Sequence, residues 1–117
     1  MSLVKYQALD AACSGSGLIF TTTPITTGAV PGACIRYRIV ARNNGLTAIN
    51  NVHIYDSTPP YTTRNDGGGA PTLNGSPVTP VSAPTNGNAS PPGFDFNIGT
   101  LAAGAQAVIE FSVKITQ

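Results

Sequence analysis

The stretch Val30–Leu46, VPGACIRYRIVARNNGL, decides how this chain is read. Between Ala33 and Asn43 its residues alternate. Ile35, Tyr37, Ile39 and Ala41 fall on one side of an extended backbone, and Arg36, Arg38, Val40 and Arg42 on the other. A period of two is the signature of a half-buried strand. Pro31-Gly32 before it and Asn43-Asn44-Gly45 after it are turn material, because Asn and Gly tolerate positive φ. Half of the chain's 6 Lys and Arg residues sit here. The stretch is therefore either a basic binding stripe or the wet side of a sheet.

The same alternation recurs outward from it. Leu3 to Leu9 reads as a first strand. Leu18 to Thr27 is β-branched but holds Pro24, which demotes it to an edge or broken strand. Ile49 to Tyr55 is a strand ended by Ser57-Thr58-Pro59-Pro60, since proline cannot donate to a ladder. Phe94 to Ile98 is another, Gly99 to Ala105 a connection, and Gln106 to Thr116 the last strand. Between them, Ser57 to Gly93 carries 14 Gly or Pro residues in 37 and only Arg64 and Asp66 as charges. Asn74-Gly75 inside it signals a hairpin carried on long loops. The inward sets are Ile35/Tyr37/Ile39, Val52/Ile54, Phe94/Phe96/Ile98 and Ile109/Phe111/Val113. At roughly 1.5–3 kcal/mol each on burial, these side chains suffice for one core. The expectation is an all-β, immunoglobulin-like β-sandwich of about seven to nine antiparallel strands, one domain over residues 1–117.

Composition narrows the function classes. The 117 residues are 41% hydrophobic but only 9% charged, with a net charge of +1. Such a chain presents no strong field to nucleic acid or to an anionic membrane. No run approaches the roughly 18 apolar residues of a membrane span. The first ten residues lack the apolar core and cleavage site of a signal peptide.

Three segments carry a resemblance: VPGACIRYRIVARNNG from Val30, AINNVHIYDSTPP from Ala48, and FNIGTLAAGAQAVIEFSVKI from Phe96. Together they look like the module called domain of unknown function eleven, a repeat of large bacterial and archaeal cell-surface proteins. The matching positions are Pro31, Gly32, Tyr37, Asn43, Gly45, Asp56, Pro59, Gly99, Leu101 and Gly104. The resemblance covers roughly residues 28 to 116, and its last segment is the most specific. It implies a non-catalytic sandwich repeat, excised from a longer secreted or surface-anchored chain of the bacterial envelope, whose partners are neighbouring domains of that chain. No catalytic residue and no cofactor follow from it. The alternative is an adhesin-type module that binds a glycan or matrix protein through the 57–93 loops or the arginine face. This chain departs from the common pattern in its arginines, its two cysteines and its long Gly/Pro middle.

If the secreted location holds, Cys13 and Cys34 are expected to form a disulfide, the other reading being two inert thiols. Cys34 shares the arginine face by parity, so a bridge would pin the Asp10–Gly17 loop to that surface. Arg36, Arg38 and Arg42 are expected to form a solvated interaction face, meeting a neighbouring domain or Glu110 on a paired strand. His53 is expected to face solvent, and Asp56 to close the turn before Pro59. Asp56, Asn65, Asp66 and Asp95 are oxygen donors without the spacing of a calcium loop, so no metal is expected. An isopeptide bond needs a lysine near Asn or Asp beside a buried acid. Lys5 and Lys114 are read as outward, so none is expected. Asn74 and Asn88 begin glycosylation acceptor triplets, matches expected by chance in a bacterial chain.

Overall fold

The computed structural model describes residues 1–57, 59–88 and 93–116. Its strands are β1 (Ser2–Asp10), β2 (Cys34–Arg42), β3 (Ile49–Asp56), β4 (Thr62–Arg64), β5 (Thr72–Leu73), β6 (Ser76–Pro77), β7 (Phe94–Leu101) and β8 (Gln106–Ile115). The larger sheet runs β1-β2-β8-β5-β6, with β4 also paired to β8, and the smaller is β3-β7. The fold is an all-β sandwich with antiparallel pairing throughout.

One long ribbon generates both layers. Cys34 faces Lys114 and Arg42 faces Gln106 in the larger sheet. Past a break, Ile49 faces Leu101 and Asp56 faces Phe94 in the smaller. Each step forward on one arm is a step back on the other, so residues 34–56 and 94–115 form a single antiparallel ribbon folded across its middle. Asn43 sits at the fold. Its N–H donates to Ala105, its carbonyl accepts from Gly104, and its side-chain amide donates to Thr47 and Leu101 carbonyls. Its Oδ1 also accepts from the Gly45 N–H. These bonds explain why a polar side chain is only 1% exposed there.

Folding the ribbon brings its apolar sides together. Ile35, Tyr37, Ile39, Ile109, Phe111 and Val113 of one sheet meet Val52, Ile54, Phe94 and Phe96 of the other. Phe111 packs against Phe94 at a ring-centroid distance of 4.2 Å and against Phe96 and Tyr37 at 5.7 and 5.6 Å. Aromatic contacts of this kind add to the burial term. The inward sets expected from parity are thus the observed core, with Ile98 at its margin.

Elsewhere the local readings are refined. β7 continues to Leu101, past the Ile98 limit, because Gly99 at φ 72° bends the strand without ending it. The 18–27 segment contributes one bridge, Thr21 to Gln7. The 57–93 region holds the expected hairpin, with Asn74 and Gly75 at φ 52° and 84°, and also β4 and a 3-10 turn at Asp66–Gly68. Lys5 corrects the parity reading. It pairs with Ile39, and directly paired residues share a face, so Lys5 lies on the core side of its sheet.

Candidate functional site

Register on β2 sets the arginine face. Arg36 lies opposite Ser112 and Arg38 opposite Glu110. Glu110 stands between both arginines: its Oε1 accepts from Arg36 Nε at 3.1 Å and its Oε2 from Arg38 Nε at 2.8 Å. Arg36 also donates to the Gly69 carbonyl at 2.9 Å and the Ala70 carbonyl at 3.4 Å. Arg38 lies 3.8 Å from the centroid of the Phe20 ring, a cation–π contact. The meeting with Glu110 is as expected, but the solvated face is not. Arg36 is 6% exposed and Arg38 half-buried, leaving Arg42 as the exposed member. A basic stripe of three arginines is therefore not presented to solvent.

Arg36 is buried because the glycine-rich Asp66–Gly69 segment crosses this face. A Cβ on Gly68 would stand 2.6 Å from Ser112 Oγ and 3.2 Å from Asp10 Oδ2, and one on Gly69 would stand 2.8 Å from Arg36 Nη1. Only side-chain-free residues lie this close to the sheet. The segment read as poor calcium-loop material is a tight cover. Its neighbour is the 10–17 loop, whose Ser14 and Gly15 N–H groups donate to the two oxygens of Asp10 at 2.9 and 2.8 Å. Cys13, at φ 52° in that loop, is bonded to Cys34, with Cα atoms 5.1 Å apart. Cys34 does share the arginine side of β2, yet it is fully buried there. The far side of the larger sheet thus holds a second, polar core of Asp10, Cys34, Arg36 and Ser112.

On the core side, Lys5 Nζ reaches Asp56 Oδ1 at 2.8 Å and stands 4.3 Å from the centroid of the Tyr37 ring. Asp56 thus bonds a lysine of the opposite sheet, where the sequence suggested a turn-closing role. Burial raises the Asp56 carboxyl above its usual range, with the Lys5 hydrogen bond and charge opposing. Burial, the Asp56 charge and Tyr61 push the Tyr37 phenol up to about 12. Asp56 Oδ2 is buried without a partner. Among the described residues no second carboxyl bonds this pair, so it lacks the acid that amide condensation requires and is an ion pair.

The remaining candidates are dispersed. His53 points off the core, with Nδ1 2.9 Å from Asp95 Oδ1, and its ring stacks beside the exposed Tyr55. Asp66 pairs with Arg64 at 3.0 Å. The three carboxylates proposed for a cation, Asp56, Asp66 and Asp95, each have a basic partner already, whereas Asn65 Oδ1 is buried without a hydrogen-bond partner. Among the described residues no three of His, Cys, Asp and Glu gather into a metal-binding group. Asn74 Oδ1 accepts from the Val108 N–H, tying the hairpin to β8. The Asn88 triplet runs into residues 89 and 90, outside the described residues. A groove of about 290 Å³, with a mixed polar and apolar lining, lies between Gln7, Pro24, Ile25, Tyr37 and Tyr61. Among the described residues, no helix is long and apolar enough to cross a membrane.

Parity could find Glu110 as a partner for the arginines. It could not find the Lys5–Asp56 pair, whose members are 51 residues apart and in different sheets. Comparison with family models, with curated proteins and with solved structures finds no match to this chain.

Proposed function

We propose that this domain is a non-catalytic spacer module of a secreted or cell-surface protein, of the kind its resemblance to the domain of unknown function eleven repeat implies. The observation that carries the reading is where the strands lead. β1 starts beside Arg42 at one end of the larger sheet, and β8 finishes beside Cys34 at the other. The domain measures 44 × 26 × 22 Å. Modules joined through such strands line up end to end. The Cys13–Cys34 disulfide suits an oxidising compartment, since cytosolic thiols are kept reduced. The basic groups also favour a structural role, because Lys5, Arg36, Arg38 and Arg64 are engaged within the domain.

Two measurements test this reading. Small-angle scattering of two copies joined directly in tandem is expected to show a maximum dimension longer by about the 44 Å axis of the domain. A side-by-side dimension counts against it. Antibody to the domain is expected to label intact cells that produce the parent protein. Labelling only after permeabilisation rejects the surface location.

A further inference from the structure

We propose that the domain is a load-bearing element in which tension along the parent chain shears β1 past β2. This rests on the spacer reading for its physiological setting, and on strand geometry for its mechanics. β1 and β2 pair over nine consecutive residue positions, from Ser2 opposite Arg42 to Asp10 opposite Cys34. β2 then pairs over nine more with β8. A pull applied ahead of Ser2 and behind Ile115 acts on strands that leave opposite ends of this three-strand array. Hydrogen bonds of an antiparallel ladder run perpendicular to the strands, so an axial pull loads the whole β1–β2 ladder at once. The alternative, opening from one end, loads one pair at a time.

Two further features lie on the same path. Lys5, midway along β1, is tied to Asp56 of the other sheet, so sliding β1 must also break a contact between layers. The disulfide joins Cys13, just beyond β1, to Cys34 at the start of β2. Once β1 is stripped, tension passes through that bond into β2 and bypasses the chain between the cysteines. The bond thus shelters residues 14–33 from load. With a separation of 21 residues and about 3.3–3.6 Å per residue, the sheltered length is about 70 Å.

Single-molecule force spectroscopy tests the proposal on the domain placed between marker domains. Forced rupture follows the unfolding rate along the pulled direction. The wild-type is pulled from its two termini. A second set uses Asn44→Cys as a thiol handle with the N-terminus as the other. Asn44 is exposed and its amide meets Ser2 Oγ at 3.0 Å, so this pair peels β1 from the same end of the same ladder. The terminal pull is expected to need at least about twice the force of the peeling pull. Asn44→Cys pulled from its termini controls for damage and is expected to match wild-type. Reduction is expected to lengthen the terminal-pull extension by about 70 Å. Equal forces in the two directions overturn the inference. Because the ratio is a property of the isolated domain, it fails or stands independently of the scattering and labelling tests of the spacer reading.

Discussion

Lys5 Nζ lies 2.8 Å from Asp56 Oδ1, joining the first strand of one sheet to the last residue of β3 in the other. The carboxylate has lost solvent, and its second oxygen has no partner. Burial outweighs the lysine, so the folded domain holds the Asp56 proton to higher pH than the unfolded chain does. The sign follows from linkage. Stability from this group is present below the ordinary carboxylate pKa and is lost as pH rises through the raised one. Relative to Asp56→Asn, wild-type is expected to gain stability on acidification from about pH 7 toward about pH 4. Urea denaturation of both proteins across that interval measures the difference, and parallel curves contradict the assignment.

Tyr37 gives the corresponding alkaline expectation. Its phenol titrates only at about 12, through burial first and then the charge of Asp56. The folded state again favours the protonated form, so stability from Tyr37 is present below the ordinary phenol pKa and is lost as pH climbs through about 12. Ultraviolet titration of the native domain is expected to show one late phenolate step that Tyr37→Phe removes. Survival of that step in the variant would assign it elsewhere.

The disulfide closes a loop of 21 residues. In the chain-entropy account such a loop contributes about 3 kcal/mol. Reduction, or the double change Cys13→Ala with Cys34→Ala, is expected to lower Tm by more than about 10 °C. Calorimetry with and without reductant reads this directly. An unchanged Tm would mean that the Asp10 hydrogen bonds alone organise the loop.

What the sequence reveals and conceals follows from how far each signal reaches. The alternation in β2 and β8 names the core correctly because a strand's two faces depend only on its own residues. It does not say what lies on either face. Arg36 and Arg42 occupy equivalent positions by parity, yet one is buried and the other exposed. The difference comes from a segment some thirty residues downstream. Lys5 shows the same limit from the other side. Its face is set by the β1–β2 register, which one strand's alternation leaves free by one residue. The folded ribbon was equally hidden, since consecutive strands in a sandwich can lie in one sheet or two.

The cover over Arg36 makes neighbouring glycines unequal. Gly68→Ala would press a methyl group onto Ser112 Oγ and Asp10 Oδ2 in a buried space. Overpacking of this kind costs about 1–3 kcal/mol. The methyl of Gly67→Ala would meet only Asn65 Oδ1, on an adjustable side chain, and its cost is expected below about 1 kcal/mol. Chemical denaturation of the two variants separates them, and equal costs would show that the cover can lift.

The arginines separate in the same way. Arg36→Ala strips a guanidinium from Glu110 and leaves the Gly69 and Ala70 carbonyls without their donor. Removing one member of a buried ion pair is expensive because its partner stays desolvated. With Arg38 still on Glu110, the expected loss is about 2–4 kcal/mol. Arg38→Ala loses an ion pair and the Phe20 contact at a half-buried position, for about 1 kcal/mol. Arg42→Ala, on an exposed side chain at the strand end, is expected to stay within about 0.5 kcal/mol. Urea midpoints of the three variants give the order directly. Three similar small losses would restore the reading of an open basic face, and a dominant loss at Arg36 establishes that this arginine serves the fold.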